Sequence, residues 1–296
     1  MIQYILTLDI GGTTFSTYLF DQKLEKISSS EINLVSDYID KNALLDGFAH
    51  QADKLLQSNS IAPNQVLGIG VSAPGPLIAS EGKILETPNL TLLQHTNLSG
   101  ELEERLGVPV KIENDANLFA WGEWQKNHPQ SKVMVALTLG SGLGVGIVYG
   151  GRLFTGAHGM GAEYGISPLS DGVWEDDISI EGLSKKSNEL LGGSKTPLAL
   201  FQSAQDGNLK ALEIWTWFGE KLGYCLCHII NLLDPDVIII GGGLSKAYTL
   251  FIDSAKEVLY QYAPSFKLHD IPVLKSLHYL DSIHRGAAML IKEKKA

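Results

Sequence analysis

Cysteine is nearly missing from this 296-residue chain, which has only Cys225 and Cys227. Two thiols so close together cannot build a disulfide framework, so nothing speaks for an oxidising compartment. Long apolar runs are missing as well, since no stretch approaches the ~20 apolar residues that a membrane span needs. The first residues, Met1 to Leu6, put no basic segment ahead of an apolar one and read as a strand, not a signal peptide. Basic charge is scarce: 23 Lys and Arg stand against 33 Asp and Glu, a formal net charge of -10. Nucleic acid is held largely through Lys and Arg contacts to phosphate, so this balance argues against such a partner. The short Lys292–Lys295 tail reads as a solvated helix end. What remains is a soluble, cytoplasmic globular protein, 44% hydrophobic and 19% charged, whose length favours two domains.

The same plan occurs twice along the chain. Ile5–Ile10 is apolar and β-prone, breaks at Gly11-Gly12-Thr13-Thr14, and resumes as Thr17–Phe20. Val133–Leu139 repeats this, breaking at Gly140-Ser141-Gly142 and resuming through Gly144–Val148. Each hairpin leads to a helical stretch and then a strand ending in a Gly-rich turn. In the first half these are Ala43–Leu56, Val66–Val71 and Pro74-Gly75-Pro76. In the second they are Ala211–Leu233, Val237–Ile240 and Gly241-Gly242-Gly243. A strand after a proline (Pro109, Pro272) and a further helix complete each half. Two copies of a βββαβαβα pattern predict two α/β domains, 1–115 with a returning helix at 284–296, and 116–283. Their Gly-turned strand ends are expected to face a cleft, where ligands of open α/β sheets bind.

Both Gly turns are phosphate candidates. Glycine lets backbone N–H groups approach phosphate oxygens, and the Thr13, Thr14 and Ser141 hydroxyls add donors. Asp9, at the end of the first strand, is placed to hold Mg²⁺ directly or through water. The Gly140–Gly146 string is not a dinucleotide fingerprint, because it joins two strands and opens no helix. Glu113-Asn114-Asp115 follows a strand and begins a helix. Either Asn114 or Asp115 is an ordinary N-cap, or one caps while the other faces a substrate.

Taken in order, Asp9–Thr14, Gly70–Pro76, Thr87–Leu90, Pro109–Asn117, Leu139–Gly144 and Ile240–Gly243 resemble the ROK family of sugar kinases and repressors over nearly the whole chain. The resemblance implies the actin-like ATPase (ribonuclease H-like) fold, ATP as donor, and attack by a sugar hydroxyl. It makes Asp115 the general base and Asn114 a sugar-binding partner, with Gly75 and Asn89 against the sugar. Asp9, Gly11, Gly12, Thr13, Thr14, Gly140, Ser141, Gly142, Gly242 and Gly243 then belong to the Mg-ATP site. A homodimer is implied too.

The chain also departs from that family. Relatives follow the second hairpin with a glutamate, a histidine and a Cys-rich zinc segment. Here Glu163 matches the glutamate, Ile166 stands where the histidine should be, and Ser167–Glu181 contains no cysteine. Without thiolates or imidazole a tetrahedral zinc shell cannot form, so no zinc is expected. Cys225 and Cys227 are two apart on one helix, point to different faces, and read as core residues. Glu181 corresponds to a second sugar-binding glutamate. His158 either replaces the missing imidazole or is an ordinary loop histidine. Trp174 is read as an anchor for the loop in place of zinc. Loss of the imidazole leaves a sugar sensor with weak catalysis as the alternative. The repressor reading is set aside, because the first strand starts at Met1 with no helix-turn-helix domain before it.

Overall fold

The computed structural model describes residues 3–88 and 90–293. Contacts divide the chain into two compact units. One comprises the described residues of Met1–Lys126, Gly156–Gly159 and Leu280–Ala296, the other Asn127–Thr155 and Met160–Tyr279.

The first unit opens with β1 (Tyr4–Ile10), β2 (Thr14–Asp21), β3 (Lys26–Ser29) and the short β4 (Asn33–Leu34), followed by helix α1 (Lys41–Ser58) and β5 (Val66–Ala73). A small hairpin, β6 (Leu77–Ile78) and β7 (Lys83–Ile84), precedes α2 (Leu98–Leu106), β8 (Val110–Asn114) and α3 (Asp115–Asn127). The sheet order is β3-β2-β1-β5-β8, with β4 beside β2. Strand β2 runs antiparallel to β1, whereas β5 and β8 are parallel to it. Helix α1 begins where the Asp40 carboxylate accepts the Ala43 N–H at 2.9 Å. Its Leu44, Phe48, Ala52 and Leu55 recur at helical spacing and are buried. Phe48 meets Phe15 of β2 edge to face, with ring centroids 4.7 Å apart.

The second unit repeats the plan. Strands β9 (Val133–Leu139), β10 (Leu143–Tyr149) and β11 (Arg152–Leu153) lead into α4 (Trp174–Asp177), α5 (Ile180–Leu191), α6 (Pro197–Gln205) and α7 (Leu209–Leu233). Then come β12 (Val237–Gly241), α8 (Tyr248–Tyr262), α9 (Pro264–His269) and β13 (Val273–Lys275). The sheet order β11-β10-β9-β12-β13 has the same sequence of directions as the first sheet. Counting only the strands along each sheet's path, both sheets read third, second, first, fourth, fifth. The duplication legible in the sequence is therefore a duplication of topology.

Cys225 and Cys227 lie buried in the core around α7, as the spacing predicts. Burial pushes the Cys227 thiol up to about 11 and the Cys225 thiol higher, so neither is a ready thiolate.

The last helix, α10 (Tyr279–Lys292), packs within the first unit. It lies backbone to backbone against α3: a Cβ added at Gly286 would fall 2.0 Å from the Leu118 carbonyl oxygen. On the same helix the His284 ring is fully buried between Thr7 and Ser16, hydrogen-bonded at 2.8 and 3.1 Å, and stacks 3.6 Å from Tyr18. Burial drives its pKa to about 3, so it is a neutral core residue that ties β1 and β2 to α10.

Candidate active site

Because β1, β5 and β8 run parallel, their carboxyl ends share one edge of the first sheet, where open α/β sheets place ligands. Register pairs Asp9 with Ser72, Ser72 with Glu113, and Ala73 with Asn114. Asp115 comes one residue beyond. The predicted residues Asp9, Gly75, Asn114 and Asp115 all sit at these strand ends. A Cβ built on Gly75 would lie 3.1 Å from the Asn114 amide nitrogen, so those two are neighbours.

Asp9 is strongly perturbed at this edge. Its pKa rises from 3.8 to about 7, mainly because burial strips water from the charge, with the Asp115 carboxylate adding repulsion. The Ser72 hydroxyl beside it offsets part of that rise, although it makes no well-formed hydrogen bond. Asp115 is also raised by burial, against the N–H of Ala116, which its Oδ1 accepts at 2.9 Å. The Asn114 Oδ1 accepts the same N–H at 2.9 Å and lies 3.4 Å from the Asn117 nitrogen. Asn114 therefore caps α3, and Asp115 keeps its second carboxylate oxygen out of the cap.

The raised pKa of Asp9 has a consequence for stability. Between about 4 and 7 the folded chain keeps a proton on Asp9 that the unfolded chain has released, so this group makes stability fall as pH rises. In nucleotide-free Asp9→Asn that contribution is absent. Denaturant titrations from pH 5 to 8 should show the variant losing less stability than wild type, by up to ~1.4 kcal/mol per pH unit. Parallel curves for the two proteins would mean that Asp9 is not held near neutral pKa.

The turn after β1 is closed by the Gly11 N–H donating to the Thr14 carbonyl at 2.8 Å, and is braced where the Val35 N–H meets the Thr13 carbonyl at 2.9 Å. The N–H groups of Gly12 and Thr13 find no acceptor among the described residues. Two such amides at an exposed tip are the kind of donor pair that can receive an anion.

In the second unit the turn after β9 is built alike. The Gly140 N–H donates to the Gly142 carbonyl at 3.0 Å, and the N–H groups of Ser141 and Gly142 have no acceptor among the described residues. Gly242, at the end of β12, packs on the base of this hairpin: with φ at 84° and a would-be Cβ 2.4 Å from the Leu139 carbonyl oxygen, it has room for no side chain. A Cβ at Gly243, by contrast, would meet open space.

Of the other predicted residues, Glu163 and Glu181 are exposed carboxylates of the second unit, Glu181 in the first turn of α5. His158 is exposed and belongs to the segment grouped with the first unit. Asn89 lies outside the described residues. Ile166 is 60% exposed. Trp174 is buried, 6.4 Å from the Tyr164 ring and 5.5 Å edge-on from His228, so it anchors its loop and presents no face to a sugar. Among the described residues no group of three or more His, Cys, Asp and Glu is arranged to hold a metal ion.

The roles of three residues escape a sequence reading, Glu113 among them although its motif is visible. Ser72 is one strand residue among apolar neighbours, and only the register with Asp9 singles it out. Glu113 is buried with a raised pKa, and it accepts the Asn114 N–H and the Asn117 amide at 2.9 and 3.0 Å, which fixes the start of α3. Glu175 lies against the second turn with no sequence signal at all.

A duplicated sheet of this order, with a Gly turn after the first strand of each copy, defines the actin-like ATPase fold. Its solved examples include a ROK family glucokinase from Streptomyces griseus, matched with a TM-score of 0.80 at 24% identity, over 99% of this chain and 100% of that one. The chain belongs to the ROK family, whose model matches residues 5–294. Curated relatives include an N-acetyl-D-glucosamine kinase of Photobacterium profundum, 29% identical over 95% of this chain and 97% of that protein. A glucokinase of Thermotoga maritima is 31% identical over 98% of each.

Proposed function

We propose that this protein transfers the γ-phosphoryl group of ATP to a hydroxyl of a hexose or amino sugar, with Asp115 as general base. The observation that carries this is the Asp9–Asp115 pair at the carboxyl edge of β1, β5 and β8. Two carboxylates there repel one another, and among the described residues no third His, Cys, Asp or Glu joins them to make a self-sufficient metal cage. Such a pair suits magnesium, which binds through one or two carboxylates and takes its remaining ligands from phosphate and water. Asp9, beside the unpartnered Ser72 hydroxyl, would hold it, and the ion would supply positive charge against the phosphate oxygens.

Asp115 does the protein's own chemistry. As the sugar oxygen bonds to the γ-phosphorus and the bond to the bridging β–γ oxygen breaks, ADP leaves with the electron pair. The hydroxyl proton passes to a carboxylate oxygen of Asp115. A pKa raised by burial makes that carboxylate a better acceptor than an ordinary one. The amides of Gly12 and Thr13, and those of Ser141 and Gly142, are the proposed donors to phosphate oxygens. Gly75 and Asn114, with Glu163 and Glu181, are the proposed sugar contacts, and Gly242 and Gly243 border the nucleotide. A sensor without turnover would have little use for a carboxylate of raised basicity next to a metal-holding one. On the same reading the protein is a cytoplasmic homodimer without a nucleic-acid partner: the dimer follows from the family resemblance, the charge of -10 speaks against nucleic acid, and two unpaired buried thiols suit a reducing compartment. The names of the relatives put glucose and N-acetylglucosamine first in a coupled ADP-release assay over a panel of hexoses. Sugar-dependent ADP release is expected with at least one of them, and none with any sugar would defeat the proposal.

Sugar preference is expected to differ from relatives with the histidine. Ile166 replaces an imidazole partner with an apolar side chain, and a sugar hydroxyl left without its partner costs ~1–3 kcal/mol, or ~10–150-fold in affinity. Ile166→His should therefore raise kcat/KM for glucose and reorder the panel. An efficiency that stays flat or falls, with rank unchanged, removes Ile166 from the sugar site.

A further inference from the structure

The first unit holds a cavity of about 260 Å³ between strand β3, the chain that leads from it through β4, and helix α1. Ser29, Glu31, Asn33 and Tyr38 line it from the strand side, His50 and Lys54 from the helix. None of them belongs to the carboxyl edge of β1, β5 and β8 or to either Gly turn.

His50 and Lys54 are four residues apart on α1 and so share one side of it. The side chains of His50, Lys54 and Glu31 have no hydrogen-bond or ion-pair partner among the described residues. In a chain of net charge -10, an ammonium and an imidazole without an acid are available to an outside anion. The wall beside them is fixed. Gln51 is buried and uses both ends of its amide: its Oε1 accepts the Thr17 hydroxyl at 2.7 Å, and its Nε2 donates to the Glu31 carbonyl at 2.9 Å. The Ser30 hydroxyl accepts the Thr17 N–H at 2.9 Å and donates to the same carbonyl at 2.8 Å. Tyr38 rests on Gly47, where a Cβ would collide with its ring.

This set is chemically mixed. An ammonium and an imidazole suit a phosphate, while a carboxylate, an amide and a hydroxyl suit sugar hydroxyls, and the tyrosine ring supplies an apolar surface for a sugar face. The volume is just under the ~300 Å³ at which small-ligand sites begin, which admits a metabolite and no segment of protein. Glu31 repels a bare anion, so a ligand whose hydroxyls engage that carboxylate is favoured over phosphate alone.

We propose that this cavity is a second ligand site, for a hexose monophosphate, with Lys54 and His50 on the phosphate and Glu31 and Asn33 on the hydroxyls. The choice of a hexose monophosphate among hydroxylated anions rests on the kinase reading above, which makes that class the product. The site also has a route to the first phosphate turn. Asn33 pairs with Phe15 and Leu34 with Thr14, the Val35 N–H donates to the Thr13 carbonyl at 2.9 Å, and the Tyr38 ring lies 5.7 Å from that of Phe15. A ligand that engages Asn33 and Tyr38 acts on the strand pair that positions the Gly11–Thr14 turn, and so alters the affinity for nucleotide.

Calorimetric titration tests this with glucose 6-phosphate, N-acetylglucosamine 6-phosphate and inorganic phosphate. Each is added to wild type and to Lys54→Gln in excess glucose or N-acetylglucosamine, so that the sugar site is already filled. At least one sugar phosphate should bind wild type more tightly than inorganic phosphate does. Its binding to K54Q should be about tenfold weaker, equivalent to ~1.4 kcal/mol. In wild type the same ligand should shift the Mg-ADP affinity about fivefold, and in K54Q not at all. Lys54 is exposed, so melting temperature and kcat without sugar phosphate should be equal in the two proteins. Asn33→Ala should keep the binding of phosphate and lose the preference for the sugar phosphate. Binding equal in wild type and K54Q, or no tighter for sugar phosphates than for inorganic phosphate, overturns the site, and with sugar phosphorylation intact the kinase reading stands. Lys54-dependent binding without any shift in Mg-ADP affinity overturns the coupling to the turn. Lys54-dependent binding in a protein that phosphorylates no sugar keeps the site and removes the kinase reading.

Discussion

In Asp115→Asn, kcat for sugar phosphorylation should fall by ~10²–10⁴-fold, the usual worth of a positioned general base. The substitution keeps the shape of the side chain and its acceptor oxygen, so the Ala116 N–H at 2.9 Å retains a partner. Helix α3 stays capped by Asn114 in any case. What is lost, on the proposed mechanism, is the carboxylate of raised pKa that would take the hydroxyl proton. Melting temperature and Mg-ADP affinity should therefore stay close to wild type while turnover collapses. An Asn variant that keeps more than roughly a tenth of wild-type kcat places the base elsewhere.

Trp174→Ala should destabilise the second unit by ~3–5 kcal/mol, the range for deleting a buried large aromatic. The indole is buried beside Tyr164 and His228, and next to it Ile178 is fully buried as well. These apolar contacts hold the Ser167–Glu181 segment where a metal site would otherwise be needed to fix it. Accordingly a chelator should leave the wild-type melting temperature unchanged, whereas the Ala variant should unfold at much lower urea. A variant within ~1 kcal/mol of wild type would deny Trp174 its anchoring role.

Much of this fold is legible in the sequence because glycine punctuates it. The breaks at Gly11–Gly12 and Gly140–Gly142 mark hairpins at equivalent points of two copies, and the strands that follow α1 and α7 end at glycines for the same reason. The long helices are readable from their apolar spacing, with ends displaced by two residues: Ala43–Leu56 extends to Lys41–Ser58. Elements without such signals were not legible. The short β4 exists only because Asn33 and Leu34 pair with Phe15 and Thr14, and α4 is a single turn fixed by the burial of Trp174.

The site divides in the same way. Asp9, the two turns, Asn114 and Asp115 are visible because each ends a strand with a residue type that strands disfavour. Whether Asn114 or Asp115 caps α3 depends on hydrogen-bond geometry, which gives Asn114 two possible donors and Asp115 one. Ser72 becomes apparent only through strand register, the role of Glu113 only through its hydrogen bonds to Asn114 and Asn117, and Glu175 only through its tertiary contacts. Pattern reveals the residues that interrupt a pattern. It says nothing of those brought to the site by packing.

The measurement that bears most directly on the account is product analysis after incubating the protein with Mg-ATP and glucose or N-acetylglucosamine. Mass spectrometry should find a sugar monophosphate formed in equal amount with ADP, absent when sugar is omitted and nearly absent with Asp115→Asn. ADP appearing without a phosphorylated sugar, or no ADP with any sugar of the panel, would contradict it.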